Sequence, residues 1–281
     1  MSGAAPGTAG GPLGLIAGNG RFPFLVAAAG RRAGRRVVAV AIKEEADPTL
    51  AAEVDEIHWV SLGQLGRCID ALKGGGVREA VMAGQVKHKQ IFAGIVPDLK
   101  MMGLLARLAL KNTDSLIGAV ADTLAREGIA LLSSTALLQD QLATKGAMTR
   151  RRPSGDEVKD VEYGREVARA LAGFDIGQTV VVKEQAVVAV EAMEGTDETI
   201  RRAGRIAGAG CTVVKVAKPR QDVRFDVPVV GPGTVAAMSE AQAHVLAVQA
   251  GETLLLDRAD LLAAAERADL VLWGFEAPSS R

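Results

Sequence analysis

The feature that most constrains the fold is an uninterrupted apolar run, Val37–Ile42, which reads VVAVAI. A strand that faces solvent on one side alternates apolar and polar residues, whereas this run has no polar position. Most of its residues are β-branched, so it predicts a strand covered on both faces. Strands of this kind belong to parallel sheets with helices packed on each side.

Strand-like and helix-like segments alternate along the first half of the chain, and this order predicts parallel βαβ units. Strands are expected at residues 13–17, 37–42, 80–83 and 129–132, and helices at 62–72, 99–110, 114–127 and from Phe22, with Pro23 in its first turn. We therefore expect residues 13–140 to form an N-terminal domain with a Rossmann-like parallel sheet. Residues 1–12 lack the basic and apolar regions of a signal peptide, so we expect a disordered leader there.

The second half predicts an α/β domain with a mixed sheet. Residues 141–155 are polar and include three consecutive arginines, so we expect a solvated linker. The strand runs 178–183 and 186–191 are two residues apart, which forces an antiparallel hairpin. Helices are expected at 156–171, 196–207 (capped by Thr196 or Asp197), 235–248 and 260–268, and strands at 211–216, 253–256 and 270–275. Residues 156–281 are thus expected to form a C-terminal domain.

Composition excludes several classes of protein. Lys plus Arg number 33 and Asp plus Glu also number 33, whereas a nucleic-acid-binding protein is expected to be basic. Cys68 and Cys211 lack the paired spacing of a disulfide framework or a zinc site, so we expect free thiols. No apolar stretch reaches the roughly 18 residues of a membrane-spanning helix. We therefore expect a soluble, cytoplasmic protein without a nucleic-acid partner.

The densest cluster of chemically active side chains lies in residues 215–228, KVAKPRQDVRFDVP. If this segment is extended, Asp222, Arg224 and Asp226 share one face, because side chains alternate along a strand. Two carboxylates flanking a guanidinium suit a divalent cation beside an anionic substrate. The alternative is an edge strand with a solvated, ion-paired face. Thr234, expected to cap the following helix after a glycine-bounded turn, favours a binding site, because helix N-termini hold anions.

Two further clusters lie at predicted strand ends. Glu191 and Glu194 follow the hairpin, where acidic residues suit a metal ion or a sugar hydroxyl; the neighbouring Thr196 and Asp197 are explained equally well as helix caps. The turn Gly18-Asn19-Gly20 can present backbone N–H groups to a phosphate.

As a dinucleotide fingerprint this glycine turn is incomplete, because Pro23 stands where the third glycine belongs. Glu44 and Glu45 follow the second strand, where a ribose-binding acid would lie, so a nicotinamide-dependent oxidoreductase is an open alternative. Farther along, Met101, Leu104, Leu105 and Leu108 form one helical stripe. Core packing explains this stripe, and an acyl chain or a membrane surface is the alternative partner.

Four stretches match one known family in the same order. They are Gly14-Leu15-Ile16-Ala17-Gly18-x-Gly20-x-x-Pro23; Ile176-Gly177-Gln178-x-Val180-Val181-Val182; Ala189-Val190-Glu191-Ala192-x-Glu194-Gly195-Thr196-Asp197; and Lys215-x-x-Lys218-Pro-x-Gln221-Asp222-x-Arg224-Phe225-Asp226-x-Pro228, followed by Gly231 and Thr234. The chain thereby resembles the UDP-2,3-diacylglucosamine pyrophosphatases of lipid A biosynthesis that have their own two-domain fold rather than a metallophosphoesterase fold.

The resemblance implies magnesium-dependent hydrolysis of UDP-2,3-diacylglucosamine to UMP and 2,3-diacylglucosamine 1-phosphate, with water attacking the phosphorus on the sugar side. It implies a substrate cleft between the two domains, with the catalytic carboxylates on the second. It also implies transient contact with the inner face of the inner membrane. A homo-oligomer is left open.

The same resemblance implies roles for individual residues. The family's essential aspartate corresponds to Asp226, which we expect to bind the metal or activate water, with Asp222 in support. Lys215, Lys218 and Arg224 are expected to hold phosphate oxygens. The expected substrate-binding residues are Gly18, Asn19, Gly20, Gln178, Glu191, Thr196, Asp197 and Gln221. The alternatives are an NAD(P)-dependent oxidoreductase and a non-catalytic protein that binds a nucleotide sugar or lipid.

Overall fold

The computed structural model of the chain describes residues 10–86, 96–106, 113–219 and 221–276. Contacts divide the chain into two units. The first comprises Met1–Leu138 and Asp222–Asp226, and the second comprises Gln139–Gln221 and Val227–Arg281. The segment Asp222–Asp226 therefore groups with the first unit, which differs from the expectation that the catalytic carboxylates belong to the C-terminal domain.

The first unit is built on a parallel sheet, as predicted. Within the described residues the sheet has five strands in the order β3-β2-β1-β4-β5. The strands are β1 (Leu13–Ala17), β2 (Val37–Ile42), β3 (Glu56–Val60), β4 (Glu79–Ala83) and β5 (Ala130–Leu131). The helices are α1 (Phe22–Arg32), α2 (Leu65–Gly74), α3 (Leu99–Leu105) and α4 (Thr113–Arg126), with a 3-10 turn at Pro48–Ala52.

The core of the first unit confirms the prediction from the apolar run. Residues 37–41 of β2 have no exposed surface. The edge strand β3 was not predicted, because its sequence EIHWV mixes charged and apolar residues. Met101 and Leu104 of α3 pack in the core with α2, which supports the core interpretation of that stripe, and Leu108 lies outside the described residues.

The second unit contains the expected mixed sheet, which in the described residues has the order β6-β13-β11-β9-β7-β8. Its strands are β6 (Gly146–Ala147), β7 (Thr179–Lys183), β8 (Ala186–Val190), β9 (Thr212–Lys215), β11 (Val245–Gln249) and β13 (Val271–Phe275), while β10 (Val229–Val230) and β12 (Leu254–Leu255) form a separate parallel pair. The helices are α5 (Gly155–Gly173), α6 (Thr196–Ala207), α7 (Pro232–Glu240) and α8 (Arg258–Arg267), with a 3-10 turn at Gln139–Gln141.

The β7–β8 hairpin forms as predicted, and a helix residue secures its turn. Glu184 and Gln185 both have positive φ angles, +52° and +58°, as the two central residues of a tight hairpin turn require. The buried carboxylate of Asp160 in α5 accepts their backbone N–H groups at 3.2 and 2.7 Å. The hairpin is thereby fixed to the helix that covers it.

Two expectations for the second unit are wrong. The helix expected at 235–248 ends at Glu240, and Val245–Gln249 is a buried strand, because a short apolar run fits a helix and a strand equally well. The expected linker contains β6, which pairs antiparallel with β13. Two of the three arginines in this expected linker form ion pairs, Arg150 with Glu266 and Arg151 with Glu157.

The two cysteines are buried free thiols, as predicted, and burial raises the pKa of Cys68 to about 12. Among the described residues, no helix combines the length and apolar character needed to cross a bilayer.

Candidate functional site

Residues Asp222–Asp226 form a helical turn, which corrects the expectation of an extended ribbon. The backbone N–H groups of Phe225 and Asp226 donate to the carbonyl of Asp222 at 3.1 and 2.9 Å. The Asp222 carboxylate also accepts the N–H of Arg224 at 3.1 Å, and aspartate favours turns through such local bonds. The alternation of side chains that holds for a strand therefore does not apply here.

A bidentate ion pair joins Asp222 to Arg224. Arg224 donates from Nε to Oδ1 at 2.9 Å and from Nη2 to Oδ2 at 2.6 Å. The hydrogen bond from Arg224 lowers the pKa of Asp222, against the opposing effect of burial. Arg224 Nη1 also lies 3.9 Å from Asp122 Oδ1. Asp222 is thus an ionised group that orients the Arg224 guanidinium, and both of its carboxylate oxygens accept hydrogen bonds from that guanidinium.

Ser134 fastens this turn to the sheet of the first unit. Its backbone N–H donates to the carbonyl of Val223 at 2.9 Å. Its Oγ lies 2.9 Å from the carbonyl oxygens of both Arg224 and Met82, the latter in β4. Ser134 follows β5, so the turn lies at the carboxyl ends of the parallel strands. Ligands bind at that edge in open α/β sheets.

The turn Gly18-Asn19-Gly20 lies at the carboxyl end of β1, and two of its amides are already bonded. Gly18 N–H donates to the carbonyl of Ala83 at 2.9 Å, and Asn19 N–H donates to that of Gln85 at 2.8 Å. A Cβ at Gly18 would lie 2.6 Å from the Gln85 oxygen, so this close approach requires glycine.

This backbone pairing occupies the place where a dinucleotide would bind. The strand order reverses between β1 and β4, which is where Rossmann folds hold a dinucleotide pyrophosphate. With the Gly18 and Asn19 amides bonded across that gap, they do not face a phosphate. Asn19 Nδ2 donates instead to Glu45 at 3.4 Å. The glycine loop therefore gives no support to the oxidoreductase alternative.

The second unit has its own buried polar cluster around the hydroxyl of Thr196. Lys215 Nζ donates to Thr196 Oγ1 at 2.7 Å, and Thr196 donates to Glu191 Oε1 at 2.7 Å. Thr179 Oγ1 lies 3.4 Å from both Lys215 Nζ and Thr196 Oγ1. The backbone N–H of Gln178 donates to Glu191 Oε2 at 3.3 Å. The structure thus brings together Gln178, Glu191, Thr196 and Lys215, all named from the sequence.

The charges in this cluster compensate one another out of water. Lys215 and Glu191 are 3% and 8% exposed. Burial alone would raise the pKa of Glu191, but the Lys215 ammonium and the hydrogen bonds from Thr179, Thr196 and Gln178 together lower that pKa. Glu191 is therefore a carboxylate paired with a buried ammonium. The expected contact of Lys215 with phosphate stays a prediction.

Asp197 connects the first turns of two helices rather than capping its own. Its Oδ1 accepts from the Thr234 hydroxyl at 2.9 Å, joining α6 to α7. The cap positions belong to Gly195 and Gly231, which have no side chain to bond. The expected caps at Thr196, Asp197 and Thr234 are therefore wrong, because Lys215 and Glu191 hold the Thr196 hydroxyl and Asp197 and Thr234 hold each other.

The remaining predicted residues have local partners. Lys218 Nζ lies 2.7 Å from Asp175 Oδ1, and Lys218 N–H donates to Gln221 Oε1 at 2.9 Å. Glu194 pairs with Arg202 at 2.5 Å. The sequence interpretation missed Thr179 and Ser134. The available signal for Ser134 was the polar sequence Ser-Ser-Thr directly after a predicted parallel strand, where binding residues collect.

Asp226 and Asp222 are the two carboxylates that the sequence predicts as metal ligands. Within the described residues, no three His, Cys, Asp or Glu side chains form a group suited to a metal ion. Mg²⁺ is commonly held by one or two carboxylates together with substrate phosphates and water, so a single carboxylate fits such a site. Both oxygens of Asp222 accept hydrogen bonds from Arg224, and its expected contact with a metal ion stays a prediction.

Comparison with known proteins gives matches over nearly the whole chain. The family models "LpxI N-terminal domain" and "LpxI C-terminal domain" match residues 12–141 and 144–273. The UDP-2,3-diacylglucosamine pyrophosphatase LpxI of Caulobacter vibrioides is 31% identical over 275 residues, which cover 94% of this chain and 97% of that protein.

Similarity to solved structures is weak. The biotin carboxylase domain dimer of Hydrogenobacter thermophilus 2-oxoglutarate carboxylase is 15% identical with a TM-score of 0.26, covering 69% of this chain and 41% of that one. The structure of gox2253 is 13% identical with a TM-score of 0.30, covering 94% and 78% respectively. Neither similarity supports an argument about function.

Proposed function

The chain belongs to the LpxI family, and we infer from this that it hydrolyses the pyrophosphate bond of UDP-2,3-diacylglucosamine, a step of lipid A biosynthesis. The products are UMP and 2,3-diacylglucosamine 1-phosphate. The observation that carries this inference is the match of both family domains, in order, together with a pyrophosphatase that aligns over 94% of the chain. It favours hydrolysis over nicotinamide chemistry and over binding without cleavage.

The reaction needs charge compensation and an oriented water molecule, because pyrophosphate oxygens are anionic and repel a nucleophile. We propose that Asp226 orients the attacking water or accepts its proton. Arg224, held by the ionised Asp222, is proposed to bind a phosphate oxygen. Because the Arg224 side chain is already held in one orientation, it can bind the negative charge that develops on the phosphate without losing further conformational entropy.

Magnesium is part of the proposal, with Asp226 as its protein ligand. When bound, the cation would neutralise charge on the pyrophosphate oxygens. Asp222 is proposed in a supporting role, because both of its oxygens already accept hydrogen bonds from Arg224.

The buried cluster in the second unit is proposed to support substrate binding. Thr196 and Asp197 begin α6, and the bonds from Lys215 and Thr234 fix that first turn. Glu191 and Gln178 complete the same hydrogen-bonded group. Gly18, Asn19, Gly20, Lys218 and Gln221 stay predicted substrate contacts, to be tested by their effect on KM.

Contact with the cytoplasmic face of the inner membrane follows from a diacylated substrate. We propose that the exposed side of α3 contributes to it. Leu99 and Met102 are 86% and 53% exposed, and Val96, just before the helix, is 81% exposed, while Leu104 on the other side packs in the core. A helix that exposes apolar side chains on one side can lie in a lipid surface with that side buried.

The experiment is an assay of UMP release from UDP-2,3-diacylglucosamine by the purified chain, with Mg²⁺ and with EDTA. We expect release that stops on chelation and returns with added Mg²⁺. Release that persists in EDTA would remove magnesium from the proposal while keeping the hydrolase. Tight substrate binding without UMP release would support a non-catalytic binding protein instead.

A further inference from the structure

Ser134 is a buried polar residue that neither the sequence motifs nor the proposed reaction uses. It is 2% exposed and lies 90 residues before Arg224 in the sequence. It contacts the Asp222–Asp226 turn at two consecutive carbonyls, those of Val223 and Arg224. Asp226 ends this turn and is bonded into it through the Asp222 carbonyl.

The Ser134 hydroxyl links two parts of the first unit. Its oxygen lies 2.9 Å from the carbonyl oxygen of Arg224 and 2.9 Å from that of Met82. A hydroxyl has a single proton, and carbonyl oxygens only accept, so this one proton serves both carbonyls. The turn is thereby held at a fixed distance from β4, the strand that contains Met82.

We propose that Ser134 is a positioning residue for the hydrolysis: it fixes the Asp222–Asp226 turn on the sheet and thereby sets where Asp226 meets the pyrophosphate. Its burial excludes direct contact with substrate in this arrangement. The inference rests on the proposed function, since it acts through the role given to Asp226.

The expected effect of losing the hydroxyl is on turnover rather than on binding or folding. In Ser134→Ala the N–H bond to Val223 persists, so the turn stays attached while the carbonyl of Arg224 is released from β4. A displacement of about 1 Å at a catalytic group costs on the order of 100-fold in rate. We expect kcat to fall by about 10- to 100-fold, with KM changed less than about threefold.

The matched control is Ser133→Ala. The Ser133 hydroxyl bonds only within its own loop among the contacts described, to Thr135 Oγ1 at 3.2 Å and to Thr135 N–H at 3.3 Å. Ser133→Ala removes a hydroxyl group from the adjacent position without removing a contact to the Asp222–Asp226 turn. Its kcat should therefore stay within about twofold of wild type. Ser134→Thr, which keeps the hydroxyl, should recover most of the lost turnover.

A double variant tests whether Ser134 acts through Asp226. If it does, Ser134→Ala in an Asp226→Asn background lowers kcat no further than Asp226→Asn alone. The melting temperature of each variant shows whether a lower kcat reflects slower turnover or a loss of folded protein. If Ser134→Ala does not fold, Ser134→Cys, which is slightly larger than serine and a poor donor, replaces it with the same expected loss.

The inference is overturned by wild-type kcat in Ser134→Ala, by an equal loss in Ser133→Ala, or by additive losses in the double variant. The proposed function fails by a different observation, the absence of UMP release by the wild-type chain. The role of Asp226 fails if Asp226→Asn turns over at the wild-type rate. The three outcomes are therefore distinguishable in one set of assays.

Discussion

Lys215 and Glu191 are joined through the hydroxyl group of Thr196, which accepts from the ammonium at 2.7 Å and donates to the carboxylate at 2.7 Å. Both charged groups are buried, so each has lost its hydration. Removing one of the two charges would leave the other buried without a compensating charge, and this is strongly destabilising.

Replacing Lys215 by methionine should therefore destabilise the second unit by about 3 kcal/mol, since it leaves Glu191 as an uncompensated buried carboxylate. Urea unfolding measures the loss. The double variant Lys215→Met/Glu191→Gln, which removes both charges, should recover a large part of it. A double variant less stable than Lys215→Met would contradict the pairing.

Stability should also depend on pH through Glu191. Its pKa is lowered in the folded protein, so its contribution is fully present above the ordinary glutamate pKa of roughly 4.3 and is lost as the pH falls through the lowered value. Urea midpoints measured from neutral pH down to the acid range should fall more steeply for wild type than for Glu191→Gln. Parallel curves would show that Glu191 has no lowered pKa.

Asp160 should matter for folding and not for chemistry. Its carboxylate holds the two N–H groups of the β7–β8 turn, and Asp160→Ala leaves both without that acceptor. We expect a loss of about 2–4 kcal/mol in the free energy of unfolding, with unchanged kcat per folded molecule. Glu162→Ala, at an exposed position of the same helix, is the control and should lie within about 0.5 kcal/mol of wild type.

Local patterns predicted the parts of the fold that local forces determine. The run at β2 specifies a strand covered on both faces, and the two-residue gap between β7 and β8 allows only a tight hairpin. In the second unit, the sequence named Gln178, Glu191, Thr196 and Lys215 before the structure placed them in one hydrogen-bonded group.

Two features were not accessible from local patterns. The Asp222–Asp226 segment alternates like a strand, but bonds within the turn and to Ser134, far away in the sequence, make it helical. The sequence predicts a helix over residues 235–248, because the apolar residues at its end fit a helix and a strand equally well, whereas Val245–Gln249 is a strand. Gln242, with a φ of +49°, separates this strand from α7.

The bidentate geometry of Arg224 gives a prediction for its conservative replacement. In Arg224→Lys a single ammonium cannot form two parallel bonds to Asp222, so the cation loses its fixed orientation. We expect kcat/KM to fall by about 10- to 100-fold, corresponding to roughly 1.4–2.8 kcal/mol. Asp122→Asn is the matched control: its carboxylate is 64% exposed and 3.9 Å from Arg224, so kcat/KM should change less than about twofold.

Asp226→Asn is the direct test of the proposed chemistry. The amide has nearly the same shape, so the turn and the fold should persist, but it neither accepts a proton nor binds a hard cation as a carboxylate does. We expect kcat for UMP release to fall by about 10³-fold or more, with KM within a few-fold of wild type. The control is Asp156→Asn, the same chemical change at a side chain that is 92% exposed and pairs with Lys159 on the surface. Equal kcat values for the two variants would remove Asp226 from the mechanism, because only a carboxylate acting on the reacting groups distinguishes these positions.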